Sequence, residues 1–436
     1  MKLKPYPEYK DSGVEWIREI PDDWETHRFK INFKYIKVKI PENLQEEARD
    51  NSLPYLSMDF LRGKESETLY SDSDPKAVKI EKGDLLLLWD GANAGEFLEG
   101  KKGYLSSTMV KLLIENIDPD FSKYICKSFE PLLRDLTIGM GIPHVNGDIL
   151  GNIRITHPTF QEQKKIVSFL DRKTSEIDLT IEKDTRLIEL LQEKRTALIN
   201  HVVTKGLDPE APMKDSMVEW IGEIPEGWET PRMRYLLKNG IEGIKIGPFG
   251  SMIKYEELVE EGYKVYGQEN IIKTDFSRGS RYLTETKFKE LIKYQIFSED
   301  LLITMMGTTG KAQIVPDDIK EGIMDSHLIR LRFNQNILPR FAEILINSSS
   351  YIFGEIMYFG KGAIMHGLNS GIIKNLILAV PSVPEQAEIL DYLEKETSKI
   401  DLTIHKIQNN IGLLHEYKKS LIQHVVTGKV DVRDVV

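Results

Sequence analysis

The chain has 436 residues, 41% hydrophobic and 29% charged, which is too long for one ordinary core and predicts several domains. Its 58 Lys+Arg against 68 Asp+Glu give a formal charge of -10, which as a single number argues against a partner as anionic as nucleic acid. One cysteine, Cys126, excludes an intramolecular disulfide and any Cys-rich metal or iron–sulfur centre. No apolar run approaches the ~20 residues of a membrane span, and the N-terminus opens no secretory h-region, so a cytoplasmic protein without membrane contact is expected.

Along the chain, an entry segment (1–27) leads into a variable region (28–157) and a closing segment (158–208). A linker with a second entry segment (209–231), a second variable region (232–380) and a second closing segment (381–431) follow. The entry segments repeat: Asp11-Ser12-Gly13-Val14-Glu15-Trp16-Ile17-Arg18-Glu19-Ile20-Pro21 returns as Asp215-Ser216-Met217-Val218-Glu219-Trp220-Ile221-Gly222-Glu223-Ile224-Pro225. The closing segments repeat too, with Ile177-Asp178-Leu179-Thr180-Ile181 against Ile400-Asp401-Leu402-Thr403-Ile404 and His201-Val202-Val203-Thr204 against His424-Val425-Val426-Thr427. The variable regions show only scattered correspondence. Kept ends and unlike middles describe one scaffold presenting two different surfaces.

In the first closing segment Ile177, Ile181, Asp184, Ile188, Leu191, Arg195, Leu198 and Val202 fall at alternating spacings of four and three, a heptad seam. Ile400, Ile404, Ile407, Ile411, Leu414, Lys418, Leu421 and Val425 repeat it, so the one polar seam residue without a counterpart is Asp184. Each helix is expected to start near Glu162-Gln163 or Glu385-Gln386 and to end near Gly206 or Gly428. Such a helix is about 65 Å long, a spacer more than a domain element. Two matched seams are expected to pair antiparallel, placing the variable regions at opposite ends of one rod.

The charge is unevenly placed. Residues 28–157 hold 18 Lys+Arg against 20 Asp+Glu and residues 232–380 hold 19 against 17, so the variable regions together are neutral and the acidity lies in the repeated scaffold. Both variable regions read as β-rich, with strands expected at Ala77–Ile80, Asp84–Trp89, Met109–Ile114, Leu301–Met306 and His327–Phe333. They share a thin frame, Gly83-Asp84-Leu85-Leu86 against Glu299-Asp300-Leu301-Leu302, followed by the small-residue loops Asp90–Gly95 and Gly307–Lys311. Later glycine loops, Gly139–Asn146 and Gly360–Asn369, each hold one His and one Asn, side chains able to read base edges in a groove.

Enzyme signatures are weak. Gly307–Lys311 lacks the glycine spacing and magnesium-binding hydroxyl of a phosphate loop, Ala312 standing in its place. Asp84 or Asp90 with Glu99 and Lys101 has the residue types of a metal-dependent nuclease, but the second unit has no counterpart. A nuclease built on this group and a structural coiled-coil adaptor are the alternatives to a recognition role.

The Asp-Ser-x-Val-Glu-Trp-Ile-x-Glu-Ile-Pro-x-x-Trp entry, the Pro-x-x-x-Glu-Gln helix starts, the Ile-Asp-x-x-Ile heptads and the Gly247-Pro248-Phe249-Gly250-Ser251 turn resemble the DNA-specificity subunit of type I restriction–modification enzymes. The resemblance covers essentially the whole chain, with Arg18 in place of the glycine at Gly222 and Glu299 in place of Gly83 as small departures. It implies an α+β fold of two β-rich target recognition domains separated by an antiparallel coiled coil, with a pseudo-twofold repeat. It also implies a subunit without catalysis or cofactor that reads a split, asymmetric site in double-stranded DNA. Partners would be two methyltransferase subunits using S-adenosylmethionine and restriction subunits using ATP and Mg2+. The candidate DNA-contacting residues are Asn93, Lys101, Ser106, Ser107, Thr108, His144 and Asn146 in the first variable region. In the second they are Ser251, Lys254, Thr308, Thr309, Lys311, Ser326, His327, Lys361, His366 and Asn369.

Overall fold

The heptad seam is visible in solvent exposure. In the computed structural model Phe160–Lys205 and Val383–Val426 are continuous helices. From Ile177 to Arg195, and again from Ile400 to Lys418, each seam position is buried or half-buried and each position between them is exposed. The structure describes residues 4–37, 41, 43–63, 68–72, 77–139, 141–240, 242–249, 252–306, 308–349, 352, 354–356 and 368–435. Gly206 and Gly428, which follow the helices, are both left-handed, with φ of 77° and 74°.

Contacts divide the chain into two units that differ from the linear segments: Met1–Thr185 with Gln408–Val436, and Arg186–Ile407. Each long helix therefore contributes to both. In unit 1 Asp178 meets Lys418 and Asp184 meets Asn410, so numbers rise along one helix as they fall along the other and the pair is antiparallel. In unit 2 Arg195 meets Asp401.

The variable regions share a topology that their sequences scarcely show. Unit 1 has an antiparallel sheet in the order Phe97–Glu99, Leu85–Leu88, Met109–Ile114, Phe33–Lys37. Unit 2 repeats it as Ala312–Ile314, Leu301–Thr304, Leu328–Leu331, Ile244–Ile246. A second sheet in each unit contains one parallel pair, Leu53–Leu56 with Gly103–Leu105 or Tyr263–Tyr266 with Gly322–Met324. The expected strands are present, Met109–Ile114 with its predicted bounds and the others shorter. Backbone ladders need only apolar strands, a condition many sequences satisfy, so the likeness of the middles escapes a sequence comparison.

The shared frame residue has a structural task. Asp84 accepts the Glu81 N–H at 2.8 Å and pairs with Lys111 at 2.5 Å; Asp300 accepts the Phe297 N–H at 2.9 Å and pairs with Arg332 at 2.6 Å. Each carboxylate closes a turn before its strand and ties it to a cation on or beside the neighbouring strand.

Each unit's main core packs its entry segment between helix ends. In unit 1 Trp24 and Tyr6 lie with Ile166, Phe169 and Leu170 of the first long helix and Val425 and Val426 of the second. In unit 2 Trp228 lies with Val202 and Val203 of the first and Ile389 and Leu393 of the second. The repeated Glu-Gln pair explains itself here. Tyr6 donates its hydroxyl to Glu162 at 2.7 Å and Trp228 its indole N–H to Glu385 at 2.9 Å. Buried Gln163 accepts the Asp118 N–H at 2.7 Å, and Gln386 the Leu338 N–H at 2.8 Å. Those amides immediately precede two matching helices, Pro119–Asp135 and Pro339–Ser348. Cys126 is buried in the first of them, where desolvation pushes its thiol well above the usual range.

Candidate nucleic-acid interface

At the end of the Leu85–Leu88 strand, Trp89 ties three loops together. Its N–H donates to the Thr108 carbonyl at 2.8 Å and its own carbonyl accepts the Val145 N–H at 2.9 Å. Gly91 N–H donates to the Pro143 carbonyl at 3.0 Å. The loops carrying Asn93, Ser106 to Thr108 and His144 to Asn146 thus form one edge. Around the indole, the Lys37 ammonium lies 4.1 Å from the ring centre and the half-exposed Tyr35 ring 4.7 Å away. Neither was a candidate from the sequence, nor was Trp89; a large aromatic residue directly before a glycine loop was the available signal.

Unit 2 builds the same junction on Met305. Its N–H donates to the His327 carbonyl at 2.9 Å, and its carbonyl accepts the Leu368 N–H at 3.0 Å. Trp89 and Met305 stand at the same ladder position, as do Thr108 and His327, although the side chains share no chemistry. His327 is partly exposed, its N–H bonded to the Asp325 carboxylate at 2.9 Å and its ring 3.4 Å from the Ser326 hydroxyl. Buried Asp325 also holds Arg281 at 3.1 Å, which reaches Glu269 at 3.0 Å. Gln268 accepts the Met306 N–H at 3.2 Å. Arg281 and Gln268 lie too far away in sequence for spacing to find them.

Several candidates are engaged in the fold. Asn146 and Asn369 cap the short helices Gly147–Asn152 and Ser370–Asn375, each side-chain oxygen accepting two backbone N–H groups at 2.9 to 3.2 Å. Lys101 donates to the Phe60 carbonyl at 3.1 Å, and Lys311 to the Ile272 carbonyl at 2.8 Å. Ser106 is buried and shares a hydrogen bond with Thr108 at 2.9 Å, while the Ser107 N–H donates to the Tyr55 hydroxyl at 3.0 Å. Thr309 donates to the Met305 carbonyl at 3.4 Å, and the Thr308 carbonyl accepts from Thr304. Lys254 is exposed, its N–H bonded to Glu257 at 2.9 Å. Asn93 and His144 are partly exposed, and the His144 imidazole makes no hydrogen bond among the described residues. Ser251, Lys361 and His366 lie outside the described residues.

Electrostatics follow the strand frame. Burial, with Arg332 beside it, lowers Arg330 to about 10. Burial likewise lowers the Lys264 ammonium, which donates to the Phe276 and Ser277 carbonyls at 3.0 and 2.7 Å. Of the residues that suggested a nuclease, Asp84 is held by Lys111 and Lys101 by a carbonyl. Among the described residues no three His, Cys, Asp or Glu side chains group as a metal site, and no helix is long and apolar enough to cross a membrane.

The duplication has a counterpart among known families. The model for the type I restriction modification DNA specificity domain matches twice, at residues 21–191 and 245–412. The chain belongs to the type I restriction–modification DNA specificity family. Within it, the MjaVIII specificity subunit of Methanocaldococcus jannaschii is 29% identical, with 98% of each chain covered. The StySPI specificity subunit of Salmonella potsdam is 23% identical over 72% of this chain and 66% of its own. Among solved structures, a chain of a type I R-M system superposes with a TM-score of 0.69 at 13% identity, covering 94% of this chain and 99% of that one. The HsdS subunit from Thermoanaerobacter tengcongensis gives 0.52 at 13% identity, covering 94% and 98%. These two likenesses show the specificity-family fold alone.

Proposed function

We propose that this specificity subunit reads a bipartite, asymmetric site in double-stranded DNA, one half with the edge around Trp89 and the other with the edge around Met305. The observation that carries this reading is the shared backbone junction beneath unlike side chains. One scaffold that holds the same loops in place twice, and varies what they display, suits two different base sequences. In unit 1 the edge offers Tyr35, Lys37, Asn93, Thr108 and His144; in unit 2 it offers Gln268, Arg281, Ser326 and His327.

The long helices act as the spacer between half-sites, against a ruler of about 34 Å per duplex turn. The subunit performs no chemistry itself. It docks two methyltransferase subunits, which supply S-adenosylmethionine, and through them restriction subunits that use ATP and Mg2+, in the cytoplasm. Neutral recognition regions on an acidic scaffold leave much of the phosphate contact to those partners, so the chain alone binds DNA weakly and with strong salt dependence.

The test replaces residues 232–380 with the matching region of another specificity subunit and maps the methylated sequence produced by the reconstituted complex. One half of the site should change and the other remain. An unaltered site would overturn the reading.

A further inference from the structure

The edge of the four-stranded sheet is finished differently in the two units. Ladder alternation turns the N–H groups of Phe97 and Glu99 away from the neighbouring strand, as it does those of Ala312 and Ile314. In unit 2 the Pro339–Ser348 helix seals this edge. Asn347 accepts the Ala312 N–H at 2.9 Å and donates to its carbonyl at 2.8 Å, and Glu343 accepts the Ile314 N–H at 3.1 Å. Unit 1 has a matching helix, aligned by its initial proline and by the Gln163 bond before it. At the positions of Glu343 and Asn347 it carries Lys123 and Lys127, which cannot accept a hydrogen bond. Glu130 takes the Phe97 N–H at 3.0 Å instead, and no side chain of the helix takes that of Glu99.

This unsealed edge opens on a cleft of about 790 Å³. Beneath it lie the core side chains Leu85 and Phe97, and half-buried Ile422 gives it apolar surface. Of the acids on its wall, Asp120 is held by Lys123 at 2.9 Å, Glu130 by Lys127 at 2.8 Å and Asp171 by the Tyr124 hydroxyl at 2.7 Å, while exposed Glu99 faces Lys123. Lys419 lines the same cleft, is exposed, and has no carboxylate partner among the described residues.

We propose that the cleft docks a peptide segment of a protein partner in which an acidic side chain adjoins an apolar one. The acid takes the place that Glu343 fills in unit 2, accepting from Glu99 N–H with Lys123 and Lys419 beside it. The apolar neighbour covers half-buried Ile422, which a bare phosphate or a DNA backbone leaves wet. Because unit 2 is sealed, one such segment docks per chain. This assignment goes beyond DNA reading and does not depend on it.

The probe is an acetylated hexapeptide of alternating glutamate and leucine, titrated onto the full chain while amide exchange is followed over residues 97–100. Binding should slow exchange there. Lys419→Glu, on an exposed position and with an unchanged melting temperature, should weaken binding tenfold or more. Lys123→Glu should do the same and slow the Glu99 exchange without peptide, by restoring the carboxylate found in unit 2. Affinity in either variant equal to that of the unsubstituted chain, or no protection of Glu99 by the peptide, overturns the proposal. So does equal protection by inorganic phosphate or a DNA duplex, which would make the cleft a simple anion site.

Discussion

Lys418 holds Asp178 with its ammonium 2.6 Å from both carboxylate oxygens. The contact has a copy, because Arg195 and Asp401, 3.0 Å apart, stand 223 residues from Lys418 and Asp178 respectively. The sequence repeat thus carries the same salt bridge twice, once in each unit, whereas the Asp184–Asn410 contact has no copy, since its counterparts are Ile407 and Leu187. Both bridges are partly exposed, so each contributes modestly. A double-mutant cycle on Asp178→Ala and Lys418→Ala should give a coupling of about 0.5 kcal/mol that fades in high salt. Coupling that is insensitive to salt would show that the pair acts through packing.

Two departures between the repeats carry strain. Arg18 and Gly222 share the same left-handed turn, at φ of 67° and 69°, and Glu299 is at 67° where Gly83 is at 95°. A side chain in that region costs about 1 to 2 kcal/mol. Glu299→Gly should therefore raise stability by about 1 kcal/mol, read from chemical denaturation, where a glycine elsewhere in a strand would lower it.

Buried Gln386 makes three hydrogen bonds, to the Leu338 N–H and to the Asn336 and Pro381 carbonyls. Gln386→Ala should cost at least about 2 kcal/mol by leaving these groups unpaired. Gln386→Glu should not rescue it, since a carboxylate cannot donate to the carbonyls. Denaturation monitored separately in each unit should place the loss in unit 2.

The His and Asn of the Gly139–Asn146 loop should separate by phenotype. Asn146→Ala removes a helix cap and should cost about 1 kcal/mol of stability. His144→Ala should leave stability unchanged and alter methylation at one half-site only. Uniform loss on all DNA would make His144 a backbone contact.

Burial raises the Glu355 carboxyl to about 7, against the Ile377 N–H and Arg232, which lower it. The folded state therefore holds a proton that the unfolded chain releases near 4.5. Stability from this group is fully present below that value, is lost as the pH rises to about 7, and is level above it. Glu355→Gln should raise the melting temperature more at pH 8 than at pH 5. An equal effect at both would contradict the titration.

The long helices were legible because a heptad is a statement about spacing, and spacing survives substitution. Their caps at Gly206 and Gly428 were legible because glycine suits the left-handed turn that ends a helix. The common topology of residues 28–157 and 232–380 was not, because Trp89 and Met305 do the same work with backbone atoms that any residue possesses. Asn146 and Asn369 were visible as a repeated pair, but an asparagine before a short apolar helix is also a capping signal, and the structure uses it that way. Lys101 and Lys311 read as DNA contacts, but carbonyls from distant segments hold both.

Unit 2 is one unbroken stretch of chain, whereas unit 1 is closed by residues 408–436. During synthesis the second unit therefore has all its parts first. The first, although translated earlier, must wait with its Trp24 and Phe169 core half-built until residues 408–436 have been added. A chain lacking residues 408–436 keeps every part of unit 2 and loses part of the core of unit 1, so deletion there strikes the unit that holds Trp24.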